Sequence, residues 1–268
     1  MSSAFSVGED DSEPITLSAL EFDVLWEHLR LGALPLVVKV PSPGKTDAER
    51  AELEEHAWAG LEARGLGRPV DVRPDLEELL GLLAKPDREV DARAYVGRNV
   101  RVLAAATGTA AAVATLSEGT LTLHRASASG LPGATLATLP ALGAGPGTSV
   151  TLPTRDFEEA ANAAGGTRDG FAKALVDRGI RDADVLADMI KDVHGMGNFG
   201  AAARDRLGRR RRAERVVSFF DTDDGRYVQI RRAGPDGTLW TTISPADLRK
   251  LVHHVTELLD EIVGEVEN

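Results

Sequence analysis

Residues 89–125 read EVDARAYVGRNVRVLAAATGTAAAVATLSEGTLTLHR. Residues 89–106 alternate apolar with polar and are rich in Val, Leu and Tyr, the period-two pattern of strands with one buried face. Residues 110–116 follow a turn at Thr107-Gly108-Thr109, and residues 120–125 follow Ser117-Glu118-Gly119. Strands separated by such short turns predict an antiparallel meander.

Downstream, residues 127–148 are weakly patterned, rich in Gly, Ala and Pro, and end in Gly143-Ala144-Gly145-Pro146-Gly147, which reads as an internal connection. The order of elements then repeats. Residues 149–152 are expected as a strand, Thr154 as the cap of a helix reaching Ala164, and residues 168–178 and 182–194 as further helices. Residues 215–221, 226–232 and 238–243 form a second predicted meander, with hairpin turns at Asp223-Asp224-Gly225 and Gly234-Pro235-Asp236-Gly237. A last helix is expected with Ser244 as N-cap and Pro245 at its first position, laying Leu248, Leu251, Val252, Val255, Leu258, Leu259 and Ile262 on one face.

Upstream, Ile15-Thr16-Leu17 reads as a strand, and Ser18 with Glu21 as a capping box before a helix whose apolar face is Phe22, Leu25, Trp26 and Leu29 and which stops at Gly32. Residues 34–40 suggest another strand. It leads into Val38-Lys39-Val40-Pro41-Ser42-Pro43-Gly44-Lys45-Thr46, which imitates a phosphate-binding loop. That motif needs glycine where Lys39 stands, and Pro41 and Pro43 lack the backbone N–H groups that cradle phosphate, so nucleotide hydrolysis is not the reading. The segment reads as a turn, with Thr46 and Glu49 making a capping box for a helix over residues 46–64 that ends at Gly65. Residues 75–84 form a shorter leucine-rich helix. Each half is thus strand, helices, meander. The predicted class is α+β, with a central antiparallel sheet flanked by helical bundles and a pseudo-twofold internal duplication. The expected organisation is a disordered start over residues 1–12 and one domain over 13–268, with halves at 13–126 and 149–264 joined by 127–148.

A formal net charge of −11 argues against a nucleic-acid protein as a whole. The exception is local: Arg204, Arg206, Arg209, Arg210, Arg211, Arg212 and Arg215 crowd one segment, the basis of an alternative reading as a nucleic-acid-associated regulator. No aromatic residue interleaves them to stack bases, so a solvated linker is the simpler account. The absence of cysteine removes disulfides, thiolate metal sites and thiol catalysis and fits a reducing, cytoplasmic setting. No apolar run is long enough to span a membrane and residues 1–12 have no secretory pattern, so no membrane insertion is expected.

Gly195-Met196-Gly197-Asn198-Phe199-Gly200 has the letters of a dinucleotide-binding turn, but helical spacing through Val185, Leu186, Met189, Ile190 and Val193 precedes it, so it reads as a flexible helix exit. The histidines His28, His56, His124, His194, His253 and His254 show no metal-ligand spacing of the His-Glu-x-x-His kind; the adjacent pair leaves a helix about 100° apart. No Gly-x-Ser-x-Gly elbow is present. The sequence offers no catalytic, cofactor or metal site, and an enzyme is not expected. Trp26 and Trp58 read as helix core, while Trp240, on a strand, suits either core or a partner anchor.

Leu20-Glu21-Phe22 with Leu25-Trp26-Glu27, Leu34-Pro35-Leu36-Val37-Val38, Pro41-Ser42-Pro43-Gly44-Lys45-Thr46, Ala48-Glu49-Arg50, and the run from Pro86 through Asp87-Arg88-Glu89-Val90-Asp91-Ala92 to Arg93 resemble the EspG proteins, as do Gly225-Arg226-Tyr227 and Trp240-Thr241-Thr242-Ile243-Ser244-Pro245. These are cytosolic chaperones of actinobacterial type VII (ESX) secretion. The resemblance covers nearly the whole chain. It implies ATP-independent binding of PE–PPE heterodimers, or another type VII substrate, by covering the hydrophobic tip of the PPE helical hairpin, with no cofactor, no nucleic acid, and a homodimer left open. The tip docks in such proteins against the sheet and the C-terminal helices, which here makes Arg101, Tyr227, Gln229, Arg231 and Trp240 the partner-binding candidates. Better-known members carry a longer loop where this chain has only residues 107–110, a difference expected to bear on client choice.

Overall fold

The structure, a computed structural model, describes residues 13–267; the expected disordered start over residues 1–12 lies outside them. The first half runs β1 (Ile15–Ser18), α1 (Ala19–His28), α2 (Asp47–Ala63), a ribbon of β2 (Gly67–Arg68) and β3 (Asp71–Val72), α3 (Pro74–Ala84), β4 (Arg88–Val96), β5 (Asn99–Thr107), β6 (Ala110–Ser117), β7 (Thr120–Ser127) and α4 (Leu131–Leu136). The second runs β8 (Val150–Pro153), α5 (Thr154–Ala163), α6 (Arg168–Val176), α7 (Ala183–Met189), β9 (Gly195–Arg204), β10 (Arg210–Arg212), β11 (Val217–Thr222), β12 (Gly225–Ala233), β13 (Leu239–Pro245) and α8 (Leu248–Glu267).

Both meanders join one antiparallel sheet in the order β1-β7-β6-β5-β4-β9-β11-β12-β13-β8, with β10 paired to the far end of β9. The order is the same from either edge. β4 matches β9, β5 matches β11, β6 matches β12, β7 matches β13 and β1 matches β8, around a pseudo-twofold axis between β4 and β9. The helices obey it too: α1–α3 correspond to α5–α7, and α4 to α8.

Strand alternation divides the side chains between two faces. On one face Val90, Val102, Phe199, Phe219 and Val228 pack under α4 and α8, the latter contributing Leu251, Val255, Leu258, Leu259 and Ile262. Each such side chain contributes roughly 1.5–3 kcal/mol when fully buried. On the opposite face two separate cores form at the flanks. Phe22, Trp26, Leu61, Leu80 and Leu121 belong to the first, with α1–α3; Leu152, Phe171, Leu175, Leu186 and Ile243 belong to the second, with α5–α7. Between them the middle strands are left without a helical cover.

Local signals explain the first two helix starts. Ser18 with Glu21 and Thr46 with Glu49 both form complete capping boxes. Asp23 on α1 holds the turn before α2, accepting from Ser42 Oγ at 2.9 Å and from Arg50 Nη1 at 2.7 Å.

Three expectations are corrected. Residues 34–40 are a strap and not a strand: Val37, Val38 and Val40 are buried on the sheet face, and the carbonyls that a neighbouring strand would use accept from arginines, Leu36 O from Arg93 at 3.0 Å and Lys39 O from Arg101 at 3.2 Å. Thr154 does not cap α5; its hydroxyl pairs with that of Thr241 at 2.8 Å, joining helix to sheet. Ser244 does not cap the last helix, because β13 continues through Pro245, opposite Tyr227; Asp247 Oδ1 takes the Lys250 N–H at 2.8 Å instead. The connection over residues 127–148 contains α4, whose Leu131 and Leu136 are fully buried, and is tied to β12 by the Ala144–Arg226 bridge.

Candidate functional site

The uncovered middle of the sheet is a groove between the two helical bundles, and strand register bands its floor. Tyr95, Met196 and Phe220 lie side by side on β4, β9 and β11, and Tyr227 on β12 completes the row. Burial changes along it. Tyr95 is 49% and Met196 55% exposed, whereas Phe220 is 8% and Tyr227 1% exposed as the row passes beneath the C-terminal bundle. Phe220 and Tyr227 stack with ring centroids 5.3 Å apart. The next row is polar, Arg93, Asn198, Ser218 and Gln229, with Ser218 Oγ donating to Asn198 Oδ1 at 2.6 Å.

A third band is charged. Glu89 and Asp91 on β4 are almost fully buried, and each meets an arginine reaching across β9 from β10. Arg210 Nε donates to Glu89 Oε1 at 2.9 Å, and Arg212 Nη2 to Asp91 Oδ1 at 3.1 Å. The hydrogen bonds from Arg212 to Asp91 raise the arginine's pKa. Phe157 of α5 and Ile190 and Val193 after α7 wall one side of the groove, and the cleft they line, about 1290 Å³ in all, continues around residues 213–216 to Glu261, Ile262 and Glu265 of α8. The strap over residues 33–37 and Leu83 wall a smaller one of about 490 Å³ on the other side.

The glycine motif of residues 195–200 is therefore a central strand and not a helix exit; α7 ends at Met189. Its glycines meet the needs of close packing. A Cβ on Gly197 would stand 2.7 Å from Ala94 Cβ and from the Phe219 ring, and one on Gly200 would stand 2.0 Å from Arg212 Nη2. Strand alternation was the available signal: Met196, Asn198 and Gly200 face the groove while Phe199, Ala201 and Ala203 face α8.

Six of the seven arginines of the cluster are engaged by the fold. Arg204 donates to Pro86 O at 3.0 Å, Arg206 to Glu267 O at 2.6 Å, and Arg209 to Asp205 at 2.8 Å. Arg215 forks onto Glu261 at 2.8 and 2.7 Å. With Arg210 and Arg212 on groove carboxylates, the segment is a hairpin braced mainly by distant parts of the chain and not a free basic patch.

Of the residues singled out in the sequence, Gln229 and Arg231 line the larger cleft, Arg231 pairing with Glu158 of α5 at 2.9 Å. Arg101 stands at the opposite rim beneath the strap. Tyr227 is internal: its hydroxyl donates to Pro146 O at 3.1 Å and burial holds its phenol above the usual value. Trp240 pairs across strands with Arg232 and so faces the α8 side, 38% exposed and away from the groove. Sequence reading missed Tyr95, Met196 and Asn198. Among ligating groups, His253 and His254 both turn onto Glu257, despite leaving the helix at different angles.

A sequence model of the EspG family matches residues 18–257. The chain belongs to the EspG family. Among solved structures this EspG protein is similar to the Mycobacterium tuberculosis type VII secretion system chaperone EspG5, determined in complex with a PE25-PPE41 dimer. The likeness covers 92% of this chain and 96% of that one, at a TM-score of 0.72 and 18% identity, and it is a likeness of fold. None of the curated proteins matches the chain. Among the described residues, no helix is long and apolar enough to cross a membrane.

Proposed function

We propose that this EspG protein is a type VII secretion chaperone that binds a PE–PPE-like substrate pair, covering the apolar tip of its helical hairpin with the groove between the bundles. The observation that carries the reading is the half-exposed pair Tyr95 and Met196 at the centre of the sheet, on the face left open between the two helical bundles. An apolar strip rimmed by polar and paired charged groups suits reversible masking of a hydrophobic tip. Phe220, supported by Tyr227, extends the strip under the C-terminal bundle; Gln229 and Arg231 contact the client on that side and Arg93 and Arg101 on the other. Trp240 lies outside the contact. Such binding needs neither catalysis nor a cofactor and takes place in the cytoplasm before export. Residues 13–268 act as one domain, since α8 packs against β4, β9 and β11 and so bridges both halves of the sheet.

Co-expression with a PE–PPE-like pair from the same genome tests this. The expected result is a soluble stoichiometric complex on gel filtration that Met196→Asp abolishes. A client as aggregation-prone with the protein as without it overturns the reading.

A further inference from the structure

We propose that His253, His254 and Glu257 on α8 form a binding site for one divalent ion of the zinc class. His253 precedes Glu257 by four residues and His254 by three, spacings that a helix brings onto one side. His253 Nε2 lies 3.6 Å from Glu257 Oε1 and His254 Nδ1 lies 3.1 Å from Glu257 Oε2. One potential ligand atom from each residue falls within 4.8 Å of the others. Atoms bound tetrahedrally to one zinc ion stand roughly 3.3 Å apart, a separation that small side-chain rotations reach. Two imidazoles and a carboxylate are a donor set that zinc accepts, with water completing the shell.

The surroundings allow the ion to enter. Arg232 Nη2 of β12 holds Glu257 Oε2 at 3.3 Å, but it also stands 3.8 Å from Glu261 Oε1. A metal ion taking Glu257 therefore leaves Arg232 beside a second carboxylate, which Arg215 also binds. The Lys250 amine, the next cation along the helix, is engaged by Ser244 Oγ at 2.9 Å and Pro245 O at 2.8 Å. The His254 side chain is 18% exposed, which restrains its ring, while His253 at 66% opens the site to solvent. Because α8 covers the sheet face away from the groove, the inference does not depend on the chaperone reading.

The test is calorimetric titration of zinc chloride, near neutral pH, into the full chain carrying no histidine tag and stripped with chelator. One saturable site is expected, weakened at least about tenfold by His253→Gln, His254→Gln or Glu257→Gln. Arg232→Ala, which releases Glu257, is expected to tighten it severalfold. Circular dichroism checks that each variant keeps its fold, and the exposed His253 makes His253→Gln the safest of them. The proposal is overturned if the unsubstituted chain shows no saturable binding. Undiminished binding by His253→Gln, or no gain in Arg232→Ala, overturns it as well.

Discussion

The guanidinium of Arg212 crosses the bare backbone of Gly200 to reach Asp91 two strands away, its Nη2 donating to Asp91 Oδ1 at 3.1 Å. Asp91 is only 7% exposed, and the guanidinium supplies it with charge-assisted hydrogen bonds. The bond also joins the halves of the duplication, since Asp91 stands on β4 and Arg212 on β10, paired to β9.

Arg212→Met leaves a buried carboxylate without its cation and is expected to destabilise the fold by about 1–3 kcal/mol. Gly200→Ala forces the guanidinium aside and costs a similar amount. In the Arg212→Met background the same alanine costs less, because the clash with the guanidinium is gone and only Asp91 Oδ2, at 3.1 Å, remains close. Urea denaturation of the single and double variants measures this coupling, and strictly additive losses count against it.

Tyr95→Asp and Met196→Asp place charge in the apolar strip of the groove. Both side chains are about half exposed, so stability should move by roughly 0.5 kcal/mol or less. Client binding should fall at least about tenfold, the equivalent of about 1.4 kcal/mol. Trp240→Ala, on the other face, should leave binding unchanged. Pull-down of the client by each purified variant, folded by circular dichroism, separates the two faces.

The fold was legible where local chemistry speaks for itself. Alternation and glycine turns marked both meanders, the capping boxes at Ser18 and Thr46 marked two helix starts, and the repeated order of elements anticipated the single sheet. The groove was not legible, for identifiable reasons. Met196 and Asn198 sit among glycines that imitate a nucleotide motif, and only the packing of Gly197 on Phe219 shows why a strand needs them. Tyr227 and Trp240 were singled out through the family resemblance, but strand alternation gives two faces without saying which one a helix covers. The arginine cluster looked free because its partners, Glu89, Asp91 and Glu261, lie far away in the chain.

Arg226 is fully buried and forks onto Asp221 with Nε at 2.7 Å and Nη2 at 2.8 Å, while Nη2 also donates to Pro140 O at 3.1 Å. Its guanidinium lies 5.3 Å from the centroid of the Phe219 ring. Arg226→Met strands Asp221, itself 1% exposed, and should cost about 3–5 kcal/mol. Tyr227→Phe, which loses the hydrogen bond to Pro146 O, should cost only about 0.5–1.5 kcal/mol. Both anchor the connection over residues 140–146, so limited proteolysis should cut there faster in Arg226→Met than in Tyr227→Phe. Equal stability losses would contradict this ranking.

His124 on β7, opposite Val113, faces the side of the sheet that α4 covers, and burial pushes its imidazole below the ordinary histidine value. The unfolded chain takes up this proton at roughly pH 6.5, whereas the folded chain resists it. The unfolded state therefore binds more protons over that interval, and stability falls as pH drops from about 6.5 through the lowered folded value. His254, which burial also lowers despite its hydrogen bond to Glu257, adds to the same slope. His124→Gln removes one titrating group and should flatten the decline in urea midpoint between about pH 7 and 5.5, leaving the part that His254 supplies. The measurement is made in chelator, which keeps metal ions from holding His254 neutral. If His124→Gln and the unsubstituted chain lose stability in parallel over that window, the burial of His124 has no energetic consequence.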